Sequence, residues 1–168
     1  MKYNNITLIG MPGCGKSSLG VVLAKYLGYK FIDSDLLIQD REGQLLSEII
    51  ENRGLAGFKD IEDQVNASIE TDKTVIATGG SVVYGENAMR HLKDISCLVY
   101  LKLPYDEIES RLGDLNKRGV AVNPGQTLYD LYKERTPLYE KYADLTAEIN
   151  GLDIRESVIR IVEQLKEG

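Results

Sequence analysis

Residues 10–17 read Gly10-Met11-Pro12-Gly13-Cys14-Gly15-Lys16-Ser17, and they follow directly on the apolar run Ile6-Thr7-Leu8-Ile9. This is an uninterrupted match to G-x-x-x-x-G-K-[ST]. Such a loop needs many N–H donors aimed at one point, with no side chains blocking the approach. Its glycines permit that, and the helix it opens favours an anion at its amino end. The helix is expected from Leu19, Val22, Leu23, Tyr26 and Leu27, which recur at helical spacing and stop at Gly28. A triphosphate is the natural occupant. The backbone amides of Gly13, Cys14 and Gly15 would cradle it, Lys16 would reach its outer phosphates, Ser17 would ligate Mg²⁺, and Ser18 would add a second hydroxyl. The plain alternative is a glycine-rich turn, but the required flanking strand and helix are both present.

The rest of the chain repeats the alternation. Short apolar strands are expected at Lys30-Phe31-Ile32, Thr74–Thr78, Cys97–Leu101 and Leu145–Ile149. Residues 36–70 read as mostly helical with breaks near Gly43 and Gly54, and Pro104 begins a further helix. Thr127 with Asp130 resembles a capping box, and Ile154, Val158, Ile161, Val162 and Leu165 make the apolar face of a last helix. Strands apolar throughout and separated by helices imply a parallel sheet covered on both faces. The expected class is therefore α/β, a three-layer α/β/α arrangement around a central five-stranded parallel sheet. Ligands of such sheets bind beyond the carboxyl ends of the strands. The segments 10–17, 33–35 and 78–81 lie there.

Composition narrows the function. The chain has 168 residues, with 20 Lys+Arg against 26 Asp+Glu, a net charge of −6. That balance does not suit nucleic acid as a partner. One histidine, His91, and two cysteines, Cys14 and Cys97, make no metal-ligand pattern and no disulfide framework. No apolar run approaches the roughly 20 residues of a membrane span. The first residues lack the apolar core of a signal peptide, so a cytoplasmic, single-domain protein is expected.

The next strand end separates kinases from other phosphate-loop proteins. Phe31-Ile32-Asp33-Ser34-Asp35 places two carboxylates two residues apart, which an extended backbone would point the same way. One can hold a metal through water and the other can accept a hydroxyl proton; helix capping is the plain alternative. With these residues in view, the sequence resembles the shikimate kinases, small phosphate-loop kinases related to the nucleoside monophosphate kinases. The resemblance spans nearly the whole chain. It rests on residues 10–17, Asp33-Ser34-Asp35, Phe58-Lys59-Asp60-Ile61-Glu62, Thr78-Gly79-Gly80, Arg118, and Arg135-Thr136-Pro137-Leu138-Tyr139.

What the resemblance implies is ATP- and Mg²⁺-dependent phosphorylation of the 3-hydroxyl of shikimate. It also implies a helical substrate-binding region over about 34–70 and a lid over about 114–126. Carried over by position, Asp35 is the base, Asp33 sits near Mg²⁺ through water, and Lys16 and Arg118 stabilise the transferring phosphoryl. Arg111 covers the adenine, and its plain alternative is an i, i+4 pair with Glu107. Lys59, Gly79, Gly80 and Arg135 join Asp35 in holding the acceptor. Three positions depart from the family pattern. Lys59 stands where the family has Arg, Gly119-Val120-Ala121 follows the lid arginine in place of Pro-Leu-Leu, and Ser81 stands where a third glycine is usual. All three lie on the acceptor side. The alternatives are a kinase for another small polyhydroxy acid or sugar, and a nucleotide-binding regulatory protein without catalysis. A GTPase switch lacks its base-reading motif, since Asn116-Lys117 runs into Arg118-Gly119. The expected partner is a small hydroxy acid and the expected state a monomer. Tyr129, Tyr132, Tyr139 and Tyr142 are expected to pack in and around the core.

Overall fold

The computed structural model describes residues 4–112, 120 and 122–168. Five strands, β1 (Asn5–Ile9), β2 (Lys30–Asp33), β3 (Thr74–Ala77), β4 (Ser96–Lys102) and β5 (Leu145–Glu148), form one sheet in the order β2-β3-β1-β4-β5. All four pairings are parallel, with Ile6 opposite Val75 and Cys97. The helices are α1 (Lys16–Leu27), α2 (Ser34–Glu42), α3 (Leu46–Ala67), α4 (Glu86–Ile95), α5 (Tyr105–Leu112), α6 (Leu128–Tyr142) and α7 (Ile154–Glu167). The expected class holds.

Chain direction explains the layering. The connection β1-α1-β2 moves one way across the sheet, while β3-α4-β4 moves the other way. Right-handed crossovers then put α1 and α4 on opposite faces. Accordingly α1 packs with α7, and α4 packs with α3. The switch in direction falls at β1, where the crevice of an open parallel sheet lies.

Most element boundaries follow local chemistry. Gly28 and Gly43 terminate α1 and α2, and α3 is interrupted at Gly54. The Thr127–Asp130 capping box forms, with Asp130 N donating to Thr127 Oγ1 at 3.1 Å. Helix α4, whose pattern the sequence reading passed over, buries Ala88, Met89 and Leu92 on one side. The main core contains β1, β3 and β4 almost whole. A second apolar cluster, Ile38, Ile49, Phe58, Ile61 and Val65, sits between α2 and α3 and gives that helical segment a core of its own.

The two ends of the sheet differ. At the amino ends, buried Asn5 donates through Nδ2 to Thr71 O and Ile95 O, each at 3.0 Å, and accepts from Thr74 N at 3.1 Å. Asn5 thus ties β1 to the start of β3, to the turn before it and to the end of α4. Asn5→Ala should orphan these groups at a cost of about 1–3 kcal/mol each in the worst case. A thermal melt should show a clear drop in Tm, while KM values for both substrates stay unchanged.

Candidate active site

At the carboxyl ends the polar groups face a cleft of about 450 Å³. The phosphate loop forms one wall. Gly13 and Gly15 take φ values of 78° and 93°, conformations that disfavour a side chain, and Gly15 is the N-cap of α1. Lys16 is buried, and its Nζ donates to Gly10 O at 2.7 Å and Met11 O at 2.9 Å. Its ammonium thus lies inside the curve of the loop. Cys14 is buried, with Sγ accepting from Lys16 Nζ at 3.7 Å, so its side chain belongs to the loop's packing and its amide to the cradle. Ser17 and Ser18 are exposed to the cleft.

The acidic turn abuts this wall. Ser17 Oγ donates to Asp33 Oδ2 at 2.8 Å, and Asp33 Oδ1 accepts from Asp35 N at 3.0 Å. Asp33 therefore caps α2, the plain alternative of the sequence, and also pairs with the loop serine. The expectation that an extended backbone aims both carboxylates together is corrected, because Asp33 ends β2 whereas Asp35 lies in the first turn of α2. Asp35 enters the cleft by helical geometry.

Opposite Asp35 stands a carboxylate to which the sequence reading gave no role. Glu62 on α3 is 2% exposed and lines the same cleft. A methyl group built on Gly79 would stand 2.8 Å from both Asp35 Oδ1 and Glu62 Oε2. Neither of those two oxygens has a hydrogen-bond partner among the described residues. Burial, then the Asp33 charge, raises the Asp35 pKa to about 6, while Lys16 opposes the shift. Burial raises the Glu62 pKa to about 7; the bond from Ser81 opposes this and the Asp35 charge adds to it. Ser81 Oγ donates to Glu62 Oε1 at 2.6 Å, so the hydroxyl in place of a third glycine is spent on Glu62 and caps no helix. A signal for Glu62 existed: it interrupts the apolar stripe Phe58, Ile61, Val65 on α3 with a charge.

Arg135 closes the far wall. It is 1% exposed, and its Nη1 lies 3.0 Å from where a Gly80 methyl would be. The same methyl would press on Pro12 Cδ at 2.7 Å. Tyr139 secures this junction from α6 by donating to Gly80 O at 2.5 Å. Lys59 is not among the residues lining the cleft; its Nζ sits over the Tyr84 ring, 4.1 Å from the centroid. Arg111 makes the i, i+4 pair, its Nε donating to Glu107 Oε1 at 2.9 Å, and its Nη1 lies 3.9 Å from a Gly15 methyl position. Arg118 and most of the expected lid fall outside the described residues; Val120 lines the cleft. Of the tyrosines of α6, Tyr139 is in the core, stacked on Tyr100 at 5.2 Å, and Tyr132 and Tyr142 pack against that core, whereas Tyr129 is half exposed and meets Tyr105 edge-on.

The family model for shikimate kinase matches residues 12–166. The chain belongs to the shikimate kinase family. Among relatives, shikimate kinase of Clostridium botulinum strain Eklund 17B is 38% identical over 156 residues, covering 92% of this chain and 93% of that one. That of Thermodesulfovibrio yellowstonii is 37% identical over 170 residues, covering 98% of each. Among solved structures, shikimate kinase from Acinetobacter baumannii in complex with shikimate superposes with a TM-score of 0.87 at 34% identity, covering 99% of this chain and 94% of that one. The enzyme from Aquifex aeolicus gives a TM-score of 0.82 at 30% identity, with 96% of each chain covered.

For a member of the shikimate kinase family, two buried carboxylates beside one glycine make stability depend on pH. Both pKa values are raised in the fold, so the folded chain binds more protons than the unfolded chain between their ordinary and raised values. Stability should therefore fall as pH rises from the ordinary Glu value of 4.5 through about 7. In Glu62→Gln this slope should flatten. Melts across that range check it; parallel slopes for the two proteins would contradict it.

Proposed function

We propose that this protein transfers the γ-phosphoryl group of ATP to the 3-hydroxyl of shikimate. The observation that carries the reading is the convergence on one cleft of Lys16, Asp35 and Arg135 around Gly79 and Gly80. Family membership over nearly the whole chain supports the acceptor.

The phosphate loop, residues 10–18, receives the nucleotide's phosphates on its amides. Lys16, now bonded to two loop carbonyls, has its ammonium where those phosphates would lie. Mg²⁺ suits the donors present, because Ser17 and Asp33 offer a hydroxyl and a carboxylate 2.8 Å apart. A hard cation of this size keeps several waters and takes the rest of its shell from phosphate oxygens. Bound there, it would supply neutralisation of charge on the phosphates.

Arg135, with Lys59 nearby, receives the acid's carboxylate. A planar guanidinium grips a carboxylate through two parallel bonds, which fixes the ring's orientation. Asp35 accepts the bond from the attacking hydroxyl and aims its oxygen at the γ-phosphorus. The new O–P bond forms as the bond to the β-phosphate oxygen breaks and ADP departs. The hydroxyl proton passes to Asp35, whose pKa of about 6 is close to neutrality, as a general base requires. Glu62, across Gly79, supplies a second acceptor for the acid's hydroxyls. Gly79 and Gly80 allow the ring to approach bare backbone. Helices α2 and α3 act as the substrate-binding segment, and their separate apolar cluster would let them shift as a unit. The roles given to Arg118 and to a lid over about 114–126 rest on the family resemblance alone.

The direct test is ATP consumption with shikimate beside a panel of other small hydroxy acids. Turnover of shikimate is expected, and its absence together with turnover of another acid would refute the proposal. Asp35→Asn and Lys16→Met should each lower kcat by about 10²–10⁴-fold in folded protein. Rates near wild type for either would remove the role assigned to it.

A further inference from the structure

Lys59 poses a problem of reach. It does not line the cleft, and a lysine is a point charge on a flexible stem that cannot grip a carboxylate as a guanidinium fork does. Among the described ion pairs none includes Lys59. What it does touch is Tyr84. We infer that Tyr84 is a positioning residue for acceptor recognition, its ring holding the Lys59 ammonium and the Arg135 guanidinium together at the carboxylate end of the cleft.

Three observations carry this. First, both cations stand over one ring: Lys59 Nζ is 4.1 Å from the Tyr84 centroid and Arg135 Cζ is 5.4 Å from it. Both distances fall within the roughly 6 Å over which a ring's negative face attracts a cation. The ring therefore links Arg135, which lines the cleft, to Lys59, which does not. Second, the ring is fixed at both ends. Tyr84 closes the short turn Val82–Tyr84, whose Val82 and Val83 are buried, and its amide donates to Ser81 O at 3.1 Å. Its hydroxyl donates to Glu134 Oε1 on α6. Third, Glu134 lies near enough for its charge to act on Lys59, yet both of its carboxylate oxygens are bonded to other groups. Its Oε1 takes the Tyr84 hydroxyl, and its Oε2 accepts from Gln126 Nε2 at 3.1 Å. A ring attracts a cation without neutralising it. Burial, then the Arg135 charge, lowers the Lys59 pKa, while the Glu134 and Glu62 charges oppose the shift.

This inference rests on the reading of Lys59 and Arg135 as the carboxylate clamp. The test compares shikimate with shikimate carboxamide, which lacks the negative charge, as acceptors. Wild type should prefer shikimate; no preference would overturn the clamp itself and the inference with it. Given that preference, Tyr84→Leu should raise KM for shikimate by about tenfold, with KM for ATP and kcat changing by less than about twofold. Tyr84→Phe, which keeps the ring, should stay within about threefold of wild type. In a Lys59→Met background Tyr84→Leu should cost less than in wild type, because only the contact with Arg135 is left to lose. An unchanged KM for shikimate in Tyr84→Leu, or equal losses for both substrates, or full additivity with Lys59→Met, would each overturn the inference. Should Tyr84→Leu fail to fold, pentafluorophenylalanine at position 84 keeps the shape and reverses the ring's electrostatics. It should raise KM for shikimate by a similar factor, and a KM like that of Tyr84→Phe would refute the role.

Discussion

The site depends on the bare backbone at Gly79 and Gly80. There the end of β3 runs so close to its neighbours that no Cβ fits: carboxylate oxygens crowd one glycine, and Pro12 of the phosphate loop crowds the other. This close approach brings together walls contributed by distant parts of the chain, namely the loop after β1, the turn after β2, the middle of α3 and the middle of α6. Parallel pairing of β3 with both β1 and β2 makes it possible, because it sets three strand ends side by side. The catalytic geometry is thus a consequence of sheet order together with two missing side chains.

The cost of that arrangement is carried by buried charge. Asp35, Glu62, Lys16 and Arg135 all lie in or against one cleft. The two carboxylates are held in surroundings that favour their neutral forms, each with an oxygen that has no partner among the described residues. At the other end of the same sheet, Asn5, Thr7 and Ser96 are buried too, yet they are paired with one another's strands or loops. Buried polar groups that are satisfied knit a fold, whereas those left short of partners mark where a ligand's own polar groups are wanted.

Much of this was legible in the sequence because it is local. A loop of eight contiguous residues, a capping box four residues wide and strands four to seven residues long declare themselves through spacing alone. Asp33 and Asp35 were found for the same reason, although their different directions were not, since these depend on where β2 gives way to α2. The contributions of Ser81 and Tyr84 were hidden because each is defined by a partner far along the chain: Ser81 by Glu62, nineteen residues away, and Tyr84 by Glu134, fifty away. The family's arginine position at Lys59 was visible, but only the fold shows the lysine resting on an aromatic ring. The departures from the family pattern at residues 59 and 81 thus acquire partners that the sequence alone does not reveal.

The most direct measurement of the central claim is the effect of Gly79→Ala on the two substrates separately. The added methyl would displace the ends of two side chains, Asp35 and Glu62, and leave the phosphate loop untouched. The account predicts a folded protein with wild-type affinity for Mg-ATP by calorimetric titration, and a loss of shikimate turnover of about 10²-fold or more. Shikimate turnover close to wild type in that variant would contradict it.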